Sequence, residues 1–282
     1  MWNECPTVLS IHDLSLLLFP QTHLSHVVRR ARFRLPLMAR FATKVITATE
    51  CVKREIVEHL KVDPAKIAVT PYAPRRSFRP LDQADTEQTR ARLGVEEPFI
   101  LFVGTIEPRK NLITLLRAFS EVLQMTDLHP QLVIAGPKGW LMDEISTYSE
   151  KLGARIVFTG YVSDHDLRAL YSSCVVCVYP SVYEGFGFPP LEAMSCGAPV
   201  IASEIPVLTE VVGEAAVRVP PLDAQKMAAS LVEMLRDAGK RSYYAEAGLN
   251  RARQFTWEKT AHLTLDVYRE VLGSTKALHK QS

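Results

Sequence analysis

Five consecutive residues, Phe99-Ile100-Leu101-Phe102-Val103, carry no polar side chain. Successive side chains of a strand point to opposite faces, so an unbroken apolar run of this length implies a strand covered on both sides. That is the situation of a strand in a parallel sheet sandwiched between helices. The run ends at Gly104, and beyond Thr105-Ile106-Glu107-Pro108-Arg109-Lys110-Asn111 the residues Leu112, Leu115, Leu116 and Phe119 recur at helical spacing. Four or more such strand-helix units run to about Arg253, and helices are expected at Ala224–Arg236, Lys240–Arg253 and Trp257–Leu272. The fold class is α/β.

The region before this is shorter. The run from Thr7 ending in His12-Asp13, Val45-Ile46-Thr47 and Ile67-Ala68-Val69 read as strands, and Val52 to Leu60 reads as a helix. Pro71, Pro74, Pro80 and a polar stretch to Pro98 read as a linker. The expected domains are therefore 1–80, a linker 81–98, 99–255, and a last helix at 256–273. A doubly wound half needs about six strands; with three, the first domain reads as incomplete, lacking roughly its first half.

Two places carry chemistry. Cys174 to Pro180 is an apolar run of strand length, and from Pro189 the residues Leu191, Ala193 and Met194 read as a helix opened by proline. Between them lies Glu184-Gly185-Phe186-Gly187-Phe188, with a second acid at Glu192. A strand-loop-helix junction offers unpartnered first-turn amides and the positive end of a helix dipole to an anionic or hydroxyl-rich ligand. Gly185 and Gly187 let it come close. Both carboxylates accept strong, charge-assisted hydrogen bonds from hydroxyls, which suggests a sugar nucleotide. An ordinary glycine-bearing turn, whose glutamate only complements the dipole, fits the same spacing. A dinucleotide fingerprint fits poorly, because Pro190 stands where its third glycine belongs. The second place is Gly104 to Asn111, where Arg109 and Lys110 sit at a strand's carboxyl end, the ligand side of open α/β sheets. They are placed to neutralise a diphosphate; a solvated loop pair is the alternative.

The runs Phe102 to Asn111, Leu132-Val133-Ile134-Ala135-Gly136, Phe158-Thr159-Gly160-Tyr161-Val162 and Glu184 to Met194 resemble those of family-4 retaining glycosyltransferases. So do Cys196 to Ser203, Leu208 to Gly213 and Phe255-Thr256-Trp257, and the resemblance spans residues 7 to 272. It implies the GT-B fold, two Rossmann-like doubly wound parallel-sheet domains. It also implies roles: Glu192 on the donor's ribose hydroxyls, Glu184 on the transferred sugar, Arg109 and Lys110 on the diphosphate. The amides of Gly185, Phe186, Gly187 and Phe188 would line the sugar-phosphate site. This chain has Thr105 where many relatives carry an arginine, so phosphate binding is expected to rest on Arg109 and Lys110. The His12-Asp13 pair closing the first strand resembles one that faces the donor sugar, which makes His12 a candidate contact and Asp13 the group orienting its ring. A structural role for a lone histidine fits equally.

The remaining features narrow the setting. No apolar run approaches the roughly 20 residues of a spanning helix, and the first residues lack the basic region of a signal peptide. Cys174 and Cys177 form a C-x-x-C inside an apolar strand with no second pair, which argues against a metal; no metal and no cofactor are expected. His23 and His26 lack a third ligand and read as the start of a helix. Five cysteines, odd in number and mostly in apolar contexts, fit a reducing cytoplasm. Net charge is only +2, yet Gln21–Lys61 holds nine basic residues against three glutamates. Arg29, Arg30, Arg32, Arg34 and Arg40, interleaved with Phe33, Leu37 and Met38, read as a basic amphipathic segment able to rest on anionic lipid, interrupted by Pro36. A solvated helix face fits as well. No aromatic stacking platform accompanies the charge, so nucleic acid is not expected.

The expected function is transfer of a hexose from a nucleoside diphosphate sugar to an acceptor hydroxyl, in polysaccharide or glycolipid assembly. The Thr105-Ile106-Glu107-Pro108-Arg109-Lys110-Asn111 variant resembles mannosyltransferases of bacterial polysaccharide assembly, which makes GDP-mannose the expected donor and a glycan or lipid-linked molecule the acceptor. The alternatives are an inactive nucleotide-binding remnant and a sugar-nucleotide epimerase on the same fold.

Overall fold

A computed structural model describes residues 5–137, 139 and 143–278. The chain divides into two compact units. The first comprises the chain to Ala73, the segment Glu184–Phe186 and the chain from Phe255; the second comprises Pro74–Tyr183 and Gly187–Gln254.

In chain order the first unit holds β1 (Val8–Ser10), α1 (Ser15–Leu18), α2 (Ser25–Phe41), β2 (Lys44–Thr47), α3 (Glu50–Leu60) and β3 (Ile67–Val69). The strands form a parallel sheet in the order β1-β2-β3. All three were legible as apolar runs. Thr49 caps α3, its side chain accepting from the Val52 N–H at 3.2 Å. Contrary to expectation, α2 runs unbroken through Pro36. A proline there removes one backbone hydrogen bond, the one to the Arg32 carbonyl four residues back. Arg32 lies on the exposed side of the helix, where water can serve that carbonyl.

The second unit begins with α4 (Gln83–Leu93), where a linker was expected. Its composition is polar, so the apolar period that marks a helix is faint; its caps define it instead. Asp82 accepts from the Asp85 N–H at 3.0 Å, and Gly94 closes the helix in the left-handed conformation, φ 68°. There follow β4 (Phe99–Val103), α5 (Leu112–Met125), β5 (Gln131–Ala135), α6 (Asp143–Leu152), β6 (Ile156–Gly160), α7 (Asp164–Ser173), β7 (Val176–Tyr179), α8 (Phe188–Ser195), β8 (Val200–Ser203), α9 (Pro206–Val212), β9 (Val217–Val219), α10 (Ala224–Arg236) and α11 (Ala238–Ala252). The last helix, α12 (Trp257–Leu278), belongs to the first unit, where the Thr260 hydroxyl donates to the Pro71 carbonyl at 2.5 Å and Glu270 pairs with Lys44.

The sheet of the second unit is parallel throughout, in the order β6-β5-β4-β7-β8-β9. Every residue of β4, β5, β7 and β8 is buried. Ile100, Phe102, Leu132, Ile134, Val176 and Val178, alternate residues of their strands, share one core with Leu115, Leu116 and Phe119 of α5 and Met227 and Leu231 of α10. The intervening residues face the other helical layer, as period-2 strands between two layers require.

One close approach fixes the carboxyl edge of this sheet. A Cβ added at Gly136, φ 145°, would stand 2.1 Å from the Gly104 carbonyl oxygen, so only glycine allows the loops after β4 and β5 to meet. Gly153, φ 57°, has nothing within 4 Å of such a Cβ. In urea unfolding, Gly153→Ala is expected to cost roughly 1–2 kcal/mol, the left-handed penalty alone. Gly136→Ala is expected to lose about 1–3 kcal/mol more, because backbone must also move. Equal losses would show that the contact does not constrain the loops.

Candidate functional site

Strand order in the second unit reverses between β4 and β7, the two central strands. Crossovers leave that point in opposite directions, so a crevice opens at the carboxyl ends of β4 and β7, where doubly wound sheets hold ligands. The loops leaving these two strands are the two segments singled out by sequence.

The β4 exit is tied down along its length. The Gly104 N–H donates to the Ala135 carbonyl at 3.0 Å and the Ile106 N–H to the Pro137 carbonyl at 3.1 Å. Pro108–Lys110 then makes one tight turn, ending at Asn111 in the left-handed conformation, φ 53°. The Asn111 side-chain amide donates to the carbonyls of Pro180, at 3.0 Å, and Pro221, at 2.6 Å, and the Val182 N–H donates to the Arg109 carbonyl at 3.0 Å. The loops after β4 and β7 are thus stapled to each other. Within this frame Arg109 donates through Nη2 to Glu107 at 2.6 Å and through Nη1 to the Tyr183 carbonyl at 3.0 Å. Lys110, 9% exposed, donates to the Tyr179 hydroxyl at 2.6 Å. Both expected cations are ordered groups at the switch point. Their fixing partners, Glu107, Tyr179 and Asn111, were not singled out from sequence, because each gains its role only from the fold.

On the β7 side, Gly187 precedes α8 with φ 106°, and Pro189 and Pro190 fill its first turn. The prolines lack N–H groups, so backbone donation from that turn falls to Phe188 and Leu191. This narrows the expected set of first-turn amides. Glu192 lies one turn in and is 4% exposed. Its carboxylate is gripped by Arg75, Nε to Oε1 at 2.7 Å and Nη2 to Oε2 at 3.1 Å. Burial nevertheless holds the Glu192 pKa above its ordinary value, the Arg75 pair opposing that rise. Arg75 itself is held above the usual arginine range by Glu192. Around Glu192 burial pushes Tyr171 and Cys177 well up and Cys196 up to about 12, so these groups stay neutral. Arg75 was missed by the sequence analysis; it sits in a proline-rich stretch read as linker.

The remaining candidates belong to the first unit, and the structure brings them together. A Cβ at Gly185 would stand 2.2 Å from the His12 carbonyl oxygen and 2.8 Å from the Asp13 Cβ. His12 Nδ1 lies 2.5 Å from the Tyr72 hydroxyl, and the Tyr72 ring meets Phe186 edge-on at 5.4 Å between centroids. The Asp13 carboxylate accepts from the Ser15 N–H at 2.7 Å. The ring-orienting group is therefore Tyr72, not Asp13 as expected. Burial raises the Tyr72 pKa, so its hydroxyl keeps its proton and can donate to Nδ1; a neutral His12 then carries its proton on Nε2. Glu184 is 6% exposed. A cavity of about 360 Å³, lined by Pro98, Val175, Pro199 and Arg241, lies at the opposite, amino ends of the second unit's strands.

Residues 84–251 match the family described as Glycosyl transferases group 1. The chain is 33% identical over 266 residues to O-antigen chain mannosyltransferase B of Escherichia coli, covering 93% of this chain and 70% of that one. It is 30% identical over 283 residues to the serotype-specific mannosyltransferase WbdA of Escherichia coli, spanning 34% of that longer protein. Among solved structures it superposes on sucrose-phosphate synthase from Thermosynechococcus elongatus with a TM-score of 0.75 at 26% identity, over 95% of this chain and 68% of that one. It superposes on Anabaena HepE in complex with UDP and glucose with a TM-score of 0.78 at 21% identity, over 94% and 71%. A doubly wound six-stranded parallel sheet and a smaller three-stranded one, with these structural neighbours, define a GT-B protein. The chain belongs to the group 1 glycosyltransferase family.

The two buried acids should titrate into stability with opposite signs. Glu192 has a folded-state pKa above its ordinary 4.5, so it contributes stability below that value and loses it as pH rises. Asp166, where burial is outweighed by the Arg92 and Ser163 hydrogen bonds, lies below its ordinary 3.8; its contribution is present above that value and lost as pH falls. Thermal unfolding from about pH 2 to about pH 8 should show Glu192→Gln gaining on wild type as pH rises. The deficit of Asp166→Asn should be full at neutral pH and shrink on acidification. Pairs of parallel curves would contradict both assignments.

Proposed function

We propose that the chain transfers mannose, with retention, from GDP-mannose to a hydroxyl of a glycan or lipid-linked acceptor in polysaccharide assembly. The observation that carries this is the switch point of the second unit, where two ordered cations stand on the loop leaving β4 and a buried carboxylate stands one turn into α8, the helix after β7. Arg109 and Lys110 are the diphosphate-binding groups and Glu192 accepts from the ribose hydroxyls. Glu184 and His12, of the first unit, are assigned to the transferred sugar. The mannosyltransferase relatives and the nucleotide held by HepE support the substrate class.

In the reaction the bond between the anomeric carbon and the diphosphate oxygen breaks, and the electron pair leaves with the diphosphate. The acceptor oxygen bonds on the same face and its proton passes to the departing phosphate. Fixed positive charge at the leaving group stabilises that transition state without reorganisation. The proposal assigns this to the chain's own groups, with no part for a metal ion.

Calorimetry with GDP, UDP and ADP tests the donor site directly. One nucleotide should bind selectively, and each of Arg109→Ala, Lys110→Ala and Glu192→Ala should weaken it by about tenfold or more, the scale of a lost charged hydrogen bond. Absence of binding by the folded chain would sink the assignment. Binding with no mannosyl transfer would identify the remnant instead, and conversion of the donor alone an epimerase.

The setting we infer is the cytoplasmic face of a membrane. No helix among the described residues is long and apolar enough to cross one, and Cys174, Cys177 and Cys196 are buried thiols outside any disulfide, which fits a reducing compartment. Phe33, Leu37 and Phe41 recur every fourth residue on α2, and Phe33 is 72% exposed and Phe41 64%. Arg29 and Arg40 flank this stripe on one side and Arg30 and Arg34 on the other, with no acid anywhere in the helix. Aromatic groups that enter the headgroup boundary beside arginines that meet lipid phosphates fit an anionic bilayer. Cosedimentation should show binding to phosphatidylglycerol vesicles that falls with salt and with Phe33→Ser/Phe41→Ser, while nucleotide affinity is unchanged. Equal binding to phosphatidylcholine vesicles would refute it.

A further inference from the structure

The Arg75 grip on Glu192 has a geometry suited to recognition. Each carboxylate oxygen has two lone-pair directions. Arg75 takes one on each, Nε on Oε1 at 2.7 Å and Nη2 on Oε2 at 3.1 Å. One acceptor direction remains on each oxygen, on opposite edges of the carboxylate, each suited to a hydroxyl. The guanidinium is itself fixed from three sides. Its Nη1 pairs with Asp164 at the start of α7, and its plane lies 4.3 Å over the Phe78 ring. The backbone that carries it is sewn to α7: Arg168 donates to the carbonyls of Arg79, at 2.7 Å, and Pro80, at 3.1 Å, and the Leu81 N–H donates to Ser172 at 3.1 Å. Arg75 keeps an exposed side, 42% of its side chain, while the carboxylate it grips is buried.

We propose that Arg75 is a positioning residue for nucleotide recognition, holding Glu192 as an ionised, fixed acceptor for a ribose hydroxyl. This rests on the donor-site reading above. The groups that face Glu192 are Arg75, Asp164 and Tyr171 of α7, Cys177 of β7 and Cys196 at the end of α8. Tyr171, Cys177 and Cys196 remain neutral and Asp164 is a like charge, so Arg75 is the cation in this set. Removing it leaves a buried acid beside another acid, and the proton that Glu192 then takes up occupies one of the two acceptor positions. Arg75 acts on the ribose hydroxyl through Glu192.

The test compares wild type, Arg75→Gln and Arg75→Lys in calorimetric titrations with GDP, UDP and their 2′-deoxy forms, from about pH 6 to about pH 8.5. Thermal unfolding confirms that each variant is folded. Wild type should favour the ribonucleotide over its 2′-deoxy form by about tenfold or more, the scale of one hydrogen bond to a charged acceptor, with little pH dependence. Arg75→Gln should lose most of that preference, and its ribonucleotide binding should weaken as pH falls. Arg75→Lys keeps the charge without the two-pronged grip, and should restore the flat pH profile while recovering only part of the preference. A merely structural arginine would lower affinity for both forms equally at every pH, and that result would overturn the inference while leaving the donor site standing. Tighter ribonucleotide binding by Arg75→Gln would also overturn it, since Arg75 would then compete with the ribose. Failure of folded wild type to bind any of these nucleotides would overturn the donor-site reading and this inference with it.

Discussion

In the second unit β4 has no face to give to water, and the architecture there follows from that constraint. A five-residue strand with every side chain buried needs helices above and below it. Parallel neighbours on both sides bring crossover helices with them: α5, joined by α10 after the last strand, covers one face, and α7 and α8 lie in the other layer. With β4 central, the chain must leave it first in one direction and later in the other, and the reversal creates the switch point between β4 and β7. The candidate site stands at the carboxyl ends of two fully buried strands, β4 and β7, because the switch point lies between them.

Backbone ties, rather than side-chain bulk, shape that crevice. Gly104 and Gly136 let two loops touch, and Asn111, in the left-handed conformation, reaches across to Pro180 and Pro221. Each tie satisfies a backbone group that strand ends leave open. The result is a frame in which Arg109 and Lys110 keep one geometry before any ligand arrives, the form in which charged groups stabilise developing charge most efficiently.

What was legible in the sequence was whatever is written locally. The unbroken run at Phe99 announced its own double burial, and Glu184 and Glu192 stood out by their spacing around a glycine loop. Helices with an apolar period, such as α5 and α10, lay close to where that period put them. Features that depend on neighbours distant in sequence stayed hidden. α4 was missed for a different reason, since it is fixed by the local caps Asp82 and Gly94 rather than by an apolar stripe. Tyr72 and Arg75 sit among prolines in a stretch with no periodicity, yet one meets His12, 60 residues away, and the other meets Glu192, 117 residues away. Pro36 misled in the opposite direction, since a local rule about helix breaking is relaxed wherever water can serve the orphaned carbonyl.

The choice of a carboxylate at position 192 shows how stability and recognition are set against each other. A glutamine there would avoid burying a charge, and burial does hold the Glu192 pKa up. Its amide, however, would turn an N–H₂ group toward the guanidinium, donor against donor, or toward the ligand, where a hydroxyl needs an acceptor. Only an ionised carboxylate accepts from Arg75 at both oxygens and still has an acceptor direction left for the ribose hydroxyl proposed above. The carboxylate is destabilising in isolation and becomes tenable through its arginine, so the pair is one functional unit although its members lie on separate elements.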